Sequence, residues 1–110
     1  MKPEFEYTVS VEQDDIPVVG NAMDSGDPVE DREVESKILY RLDVGDVWAW
    51  AAVTVTCREV HTGVEGTDYL GCCNYRDEKD FRECQYFEDM CTKAYVDCLS
   101  QIERVKGLEL

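Results

Sequence analysis

From residue 81 to residue 105 the chain contains neither glycine nor proline. Over that stretch Phe87, Met90, Cys91, Ala94, Tyr95, Cys98, Ile102 and Val105 fall at the three- and four-residue spacing of one helix face. A long one-sided helix cannot stand alone in water. It needs a second surface of comparable length to cover its apolar stripe. Asp77 is placed to cap its start, with Asp80 three residues on, and Gly107 to end it. Uninterrupted over 78–105, the helix would be long for a domain of 110 residues. The run is therefore either one helix or two pieces breaking near Cys84 and Gln85.

The covering surface is written in a different period. Residues 4–12 alternate: Phe5, Tyr7, Val9 and Val11 point one way, Glu4, Glu6, Thr8, Ser10 and Glu12 the other. That is a strand with one buried and one acidic face. Residues 46–60 form the most strand-like run. Val47, Ala49, Ala51, Val53, Val55 and Cys57 share one side, and Trp48, Trp50, Ala52, Thr54, Thr56 and Arg58 the other. His61, Thr62 and Gly63 read as a turn. A third strand follows over 64–74, with Gly66 and Gly71 marking bulges or close approaches. The last two strands most simply pair as an antiparallel hairpin.

Between the first two strands lies a different pattern. Residues 13–27 are broken by Pro17, Gly20 and Gly26, yet carry Ile16, Val18, Val19, Ala22 and Met23. This predicts a long ordered loop pinned to the core. Asp27, Pro28 and Glu30 then give a helix start: a cap, a proline at the first position and an acid three residues past the cap. Val34, Ile38, Leu39 and Leu42 recur at helical spacing up to Gly45. The order β-α-β-β-α predicts an α+β fold, a small antiparallel sheet with two helices packed on one face, in a single domain over 1–110. Charged side chains on residues 4–12 would protect one sheet edge.

Charge narrows the partners. The chain has 25 acids, 11 bases and one histidine, a net charge of −14. Residues 1–35 hold eleven acids against Lys2 and Arg32, a net of −9. Such a surface repels nucleic acid and anionic membrane and attracts basic grooves. The N-terminus is acidic and polar, where a signal peptide needs a basic start and an apolar run. No stretch approaches the roughly 18 apolar residues of a spanning helix. The expectation is a cytoplasmic chain that binds neither nucleic acid nor membrane directly.

Candidate chemistry is sparse. Cys84, Cys91 and Cys98 are spaced by seven, so on a helix they are about 10 Å apart, too far for a disulfide or one metal ion. Cys72 and Cys73 point to opposite sides of a strand, and no C-x₂₋₄-C pair is present to hold zinc. With no secretory signal, reduced thiols are expected, the alternative being an oxidised pair of Cys57 with Cys72 or Cys73. Asp14–Asp15 and Asp24 with Asp27 would suit a hard cation, but match no known loop. His61 sits in a turn with no neighbouring nucleophile. No nucleophile elbow, phosphate loop or zinc-protease motif occurs. No catalytic residue, metal or cofactor is expected.

Three stretches carry a resemblance: Ile16-Pro17-Val18-Val19-Gly20-Asn21-Ala22, residues 47–56 from Val47-Trp48-Ala49-Trp50 onward, and residues 67–78 around Tyr69-Leu70-Gly71-Cys72-Cys73-Asn74-Tyr75. Together they resemble small acidic proteins of unassigned function encoded by phages, prophages and plasmids. The resemblance spans about residues 5–100 and transfers no catalytic residue. It implies a context in which small acidic proteins inhibit host defence, anti-CRISPR proteins among them. The expectation is a non-enzymatic inhibitor acting in the host cytoplasm. Asp14, Asp15, Asp24, Asp27, Glu30, Asp31 and Glu33 would occupy the basic groove of a CRISPR-Cas or other nucleic-acid-binding complex. The alternative is an interaction module that binds a protein partner, or a second copy as a homodimer, through Trp48, Trp50 and Tyr69. Those two tryptophans face either solvent or a second small core beneath the 13–27 loop.

Overall fold

A computed structural model describes residues 2–107. The fold is α+β. Strands β1 (Phe5–Gln13), β2 (Ala51–Glu59) and β3 (Glu65–Cys73) form an antiparallel sheet in the order β1-β2-β3. Helix α1 (Pro28–Asp43) follows β1, and helices α2 (Glu78–Arg82) and α3 (Gln85–Gly107) follow β3. The β1–β2 register is fixed at both ends. Val60 N–H donates to Glu4 C=O at 2.8 Å, and Asp14 N–H donates to Trp50 C=O at 3.0 Å. Among the described residues, no helix is long and apolar enough to cross a membrane.

The chain divides into two compact units. The first comprises residues up to Ser10, Thr54–Tyr69 and the chain from Phe81 onward; the second comprises Val11–Val53 and Leu70–Asp80.

In the first unit α3 lies directly on strand backbone. Gly66 makes this approach feasible: a Cβ there would stand 2.1 Å from Cys98 N and 2.5 Å from Ala94 C=O. Small residues face it from the helix, and Ala94 and Cys98 are fully buried. Val55, Cys57, Phe81 and Met90 complete the core, and Phe5 meets Tyr95 edge-on at 4.9 Å. The expected long C-terminal helix divides at residues 83–84. There Cys84 N–H returns to Phe81 C=O at 3.1 Å, a tight three-residue turn. The turn lets Phe81 and Phe87 stack edge-on at 5.6 Å with Phe81 wholly buried.

The second unit is organised around Trp50. Val18, Ile38, Ala49 and Trp50 form its core, flanked by Ala22, Val34 and Leu42. The 13–27 loop is fastened by polar bonds from within. Trp50 Nε1–H donates to Ile16 C=O at 2.7 Å, and Glu35 accepts Gly20 N–H at 2.8 Å. Gly20 takes a left-handed φ of +85° that favours glycine. Asp27 caps α1 by accepting Val29 N–H at 2.9 Å, with Pro28 in the first turn.

Residues 46–50 correct the strand expected over 46–60. Val47–Ala49 form a 3-10 turn capped by Asp46, which accepts Trp48 N–H at 3.2 Å, and β2 begins only at Ala51. Alternation of apolar residues continues through the turn, so period alone could not separate the two. A side chain competing for the local amide ends the strand pattern.

Candidate functional site

The acidic residues expected to meet a partner separate into two groups. Asp14 is consumed by the fold. It is 7 % exposed; Oδ1 accepts Ile16 N–H at 3.0 Å and Oδ2 accepts Cys72 N–H at 2.7 Å. Its carboxylate therefore ties the start of the loop to an irregular point of β3, where Cys72 adopts a φ of +54°. Asp14 is thereby removed from the surface on which the sequence placed it. Glu35 is similarly buried. Asp27 and Asp31 do structural work at the rim: Asp27 caps α1, and Asp31 accepts the Ser25 hydroxyl at 2.7 Å and its N–H at 3.1 Å.

Glu12, Asp15, Asp24, Glu30 and Glu33 remain exposed. Among the described residues, no hydrogen bond or ion pair engages the carboxylate of any of these five. Arg32 is the one cationic side chain between residues 11 and 35. Apolar side chains are interleaved with them: Val19 and Val29 are about two-thirds exposed, and Ile16 and Met23 about two-fifths. The same segment thus offers unneutralised charge and contact surface together.

The aromatic trio is divided between the two units. Trp50 is 3 % exposed and belongs to the core beneath the 13–27 loop. Its indole N–H is satisfied by Ile16, which is what makes burying a tryptophan there acceptable. Trp48 is half-buried and packs edge-on to Tyr75 at 6.5 Å. Tyr69, in the other unit, is exposed. Trp48 and Trp50 precede β2, which begins at Ala51, so neither lies on the strand face on which the sequence placed them.

The six cysteines are free thiols. Burial pushes the Cys57 thiol up, opposed by a hydrogen bond from the Tyr7 phenol; the Cys98 thiol pushes it up further. Burial likewise raises Cys72, with the Asp14 charge adding to it, and raises Cys91 against the opposing charge of Arg82. These thiols are thus kept protonated and weakly nucleophilic. Tyr7 is pushed up to about 12, first by burial, then by its hydrogen bond to Cys57. Among the described residues, no group of three or more His, Cys, Asp or Glu is placed to hold a metal ion.

A feature that period and spacing did not single out lies in the first unit. Pro3, Phe5, Leu99 and Ile102 wall a cleft of about 630 Å³, whose polar lining comes from Glu59, His61, Thr62, Glu103 and Lys106. Glu59 is 3 % exposed. Its carboxylate accepts Glu4 N–H at 2.9 Å and Thr62 N–H at 2.8 Å. Those amides, Glu4 foremost and then Thr62 and His61, hold it down to about 2, against the upward effect of burial. The sequence carries one sign of this: Glu59 continues the inward face of Val53, Val55 and Cys57, where a charge is out of place. No family model, curated protein or solved structure matches the chain.

Proposed function

We propose that the chain is a non-enzymatic binding protein that presents carboxylates to the basic surface of a nucleic-acid-handling protein, in the manner of a nucleic-acid mimic. One observation carries this: Glu12, Asp15, Asp24, Glu30 and Glu33 are exposed, no hydrogen bond or ion pair among the described residues engages their carboxylates, and a single arginine accompanies them. Acids needed for folding alone would be engaged, as Asp14 and Glu35 are. Lysine and arginine side chains spaced to receive phosphates receive carboxylates by the same long-range attraction, which steers encounter and is screened over about 8 Å at physiological salt. Exposed Ile16, Val19, Met23 and Val29 add the apolar contacts that a protein partner supplies and a solvated surface does not need. The resemblance to small acidic proteins of mobile elements extends the proposal to a defence complex in the host cytoplasm, a CRISPR effector being the first to try.

The experiment is competition with target DNA for a purified CRISPR effector complex at two salt concentrations. The test variant replaces Asp15, Asp24, Glu30 and Glu33 by their amides and leaves Asp14, Asp27 and Asp31, which the fold uses. The native chain should displace DNA more weakly as salt rises. The variant should lose affinity on the order of tenfold or more at low salt, about 1.4 kcal/mol. Equal competition by the two chains, or indifference to salt, would overturn the proposal.

A further inference from the structure

The inner side of α1, with Val34, Ile38 and Leu42, belongs to the core around Trp50. The outer side of such a helix is expected to be polar. Instead it carries Val29, Tyr40 and, at the C-cap, Val44, all about two-thirds exposed. Two hollows lie among them. One of about 410 Å³ is walled by Val29, Arg32, Glu33, Ser36 and Lys37, and one of about 460 Å³ by Ser36, Lys37, Tyr40 and Arg41. Val29, Arg32, Glu33 and Ser36 have the spacing of the four residues that receive a side chain from a second helix. Ser36, common to both hollows, is short enough to let that helix come close. Arg41 holds the far wall in place through Asp46 at 2.8 Å.

Charge says what would lie there. The first half of α1 carries Glu30, Asp31, Glu33 and Glu35 against Arg32; the second carries Lys37 and Arg41 against Asp43. A purely basic or purely acidic partner would suit one half and be repelled by the other. A helix of the same polarity, laid antiparallel, suits both. A two-fold axis between Ser36 and Lys37 supplies that helix from a second copy, and makes every contact twice. It sets Val29 opposite the second copy's Val44 and Tyr40 opposite its Glu33. Tyr40 then enters the hollow of Val29, Arg32, Glu33 and Ser36, where its hydroxyl donates to Glu33 and its ring lies beside the Arg32 guanidinium. Lys37 comes within one helical turn of the second copy's Glu33.

We infer that the outer side of α1 is a self-association face, on which two copies of the chain pair antiparallel about Ser36 and Lys37. A face 16 residues long, about 24 Å by about 10 Å, is smaller than the roughly 800 Å² per partner of a standard interface, so the pair is a reversible one. The inference does not rest on nucleic-acid mimicry, and no nucleic acid enters its test. The full chain is followed by sedimentation equilibrium from about 10 µM to about 1 mM, the range of a weak complex. Sodium chloride at about 0.15 M screens the repulsion between two chains of net charge −14. The dimer should grow with concentration. Tyr40→Ala, at an exposed position, should weaken association at least tenfold with the circular dichroism unchanged. Glu33→Lys and Lys37→Glu should each do the same alone, since each then faces like charge across the axis. An equimolar mixture of those two variants sets opposite charges face to face again, and should associate at least tenfold more tightly than either variant by itself. If Tyr40→Ala unfolds, the charge variants decide. A monomer at every concentration overturns the inference. So does full affinity in folded Tyr40→Ala, or a mixture that associates no better than its separate components.

Discussion

Glu59 occupies a position where β2 otherwise turns small apolar side chains inward, and it is tolerated because backbone amides of both flanking segments solvate it. Its carboxyl titrates near 2 in the fold, below the usual carboxylate range. A depressed value means that the folded state favours the charged form. The resulting stability is complete above the unfolded value, near 4.5, and is lost as pH falls through about 2. Denaturant titrations at pH 6, 4 and 2.5 should therefore show native and Glu59→Gln chains converging in stability toward acid. A difference independent of pH would refute this. Asp80 is also held down, chiefly by Arg76 N–H, so the absolute acid response mixes both groups and only the difference isolates Glu59. Burial of Asp14 was illegible from sequence for a related reason: its partner Cys72 is 58 residues away.

At the scale of elements, the contact between α3 and β3 is a close one. Gly66 permits it, and the atoms a side chain would strike are helix backbone, which cannot swing aside. Gly66→Ala should therefore destabilise the chain by about 3 kcal/mol or more, the upper part of the range for overpacking. Gly107→Ala, which meets nothing within 4 Å, should change little. Urea midpoints of the two variants provide the check; similar values would mean that the helix slides freely over the strand. Much of this level was legible. Alternation announced β1 and β2 from Ala51, the turn at His61–Gly63 announced β3, and Asp27-Pro28 announced the start of α1. What was not legible depended on side chains answering backbone. Asp46 turned an alternating stretch into a 3-10 turn, and the Phe81–Phe87 contact accompanies the turn that divides the C-terminal helix. For Trp50 the sequence left two places, solvent or a second small core beneath the 13–27 loop; the structure puts it in that core with Val18 and Ile38.

For the molecule as a whole, a net charge of −14 repels itself. Screening should relieve that repulsion, so the melting temperature should rise between about 10 mM and 0.5 M sodium chloride. A fall would show that attractive pairs such as Arg41–Asp46, at 2.8 Å, outweigh the repulsion. The charge itself was plain in the composition. Which carboxylates reach solvent was not, since that depends on amides brought in by the fold. One such carboxylate has a consequence for life in a crowded solution. β3 lies at the border of the sheet, and a bare strand border is a template on which another chain can grow. Asp97 of α3 reaches over and takes Thr67 N–H at 2.8 Å. An arriving strand would find that rung already occupied, and by a negative charge. The helix that closes the core thus also guards the sheet against polymerisation.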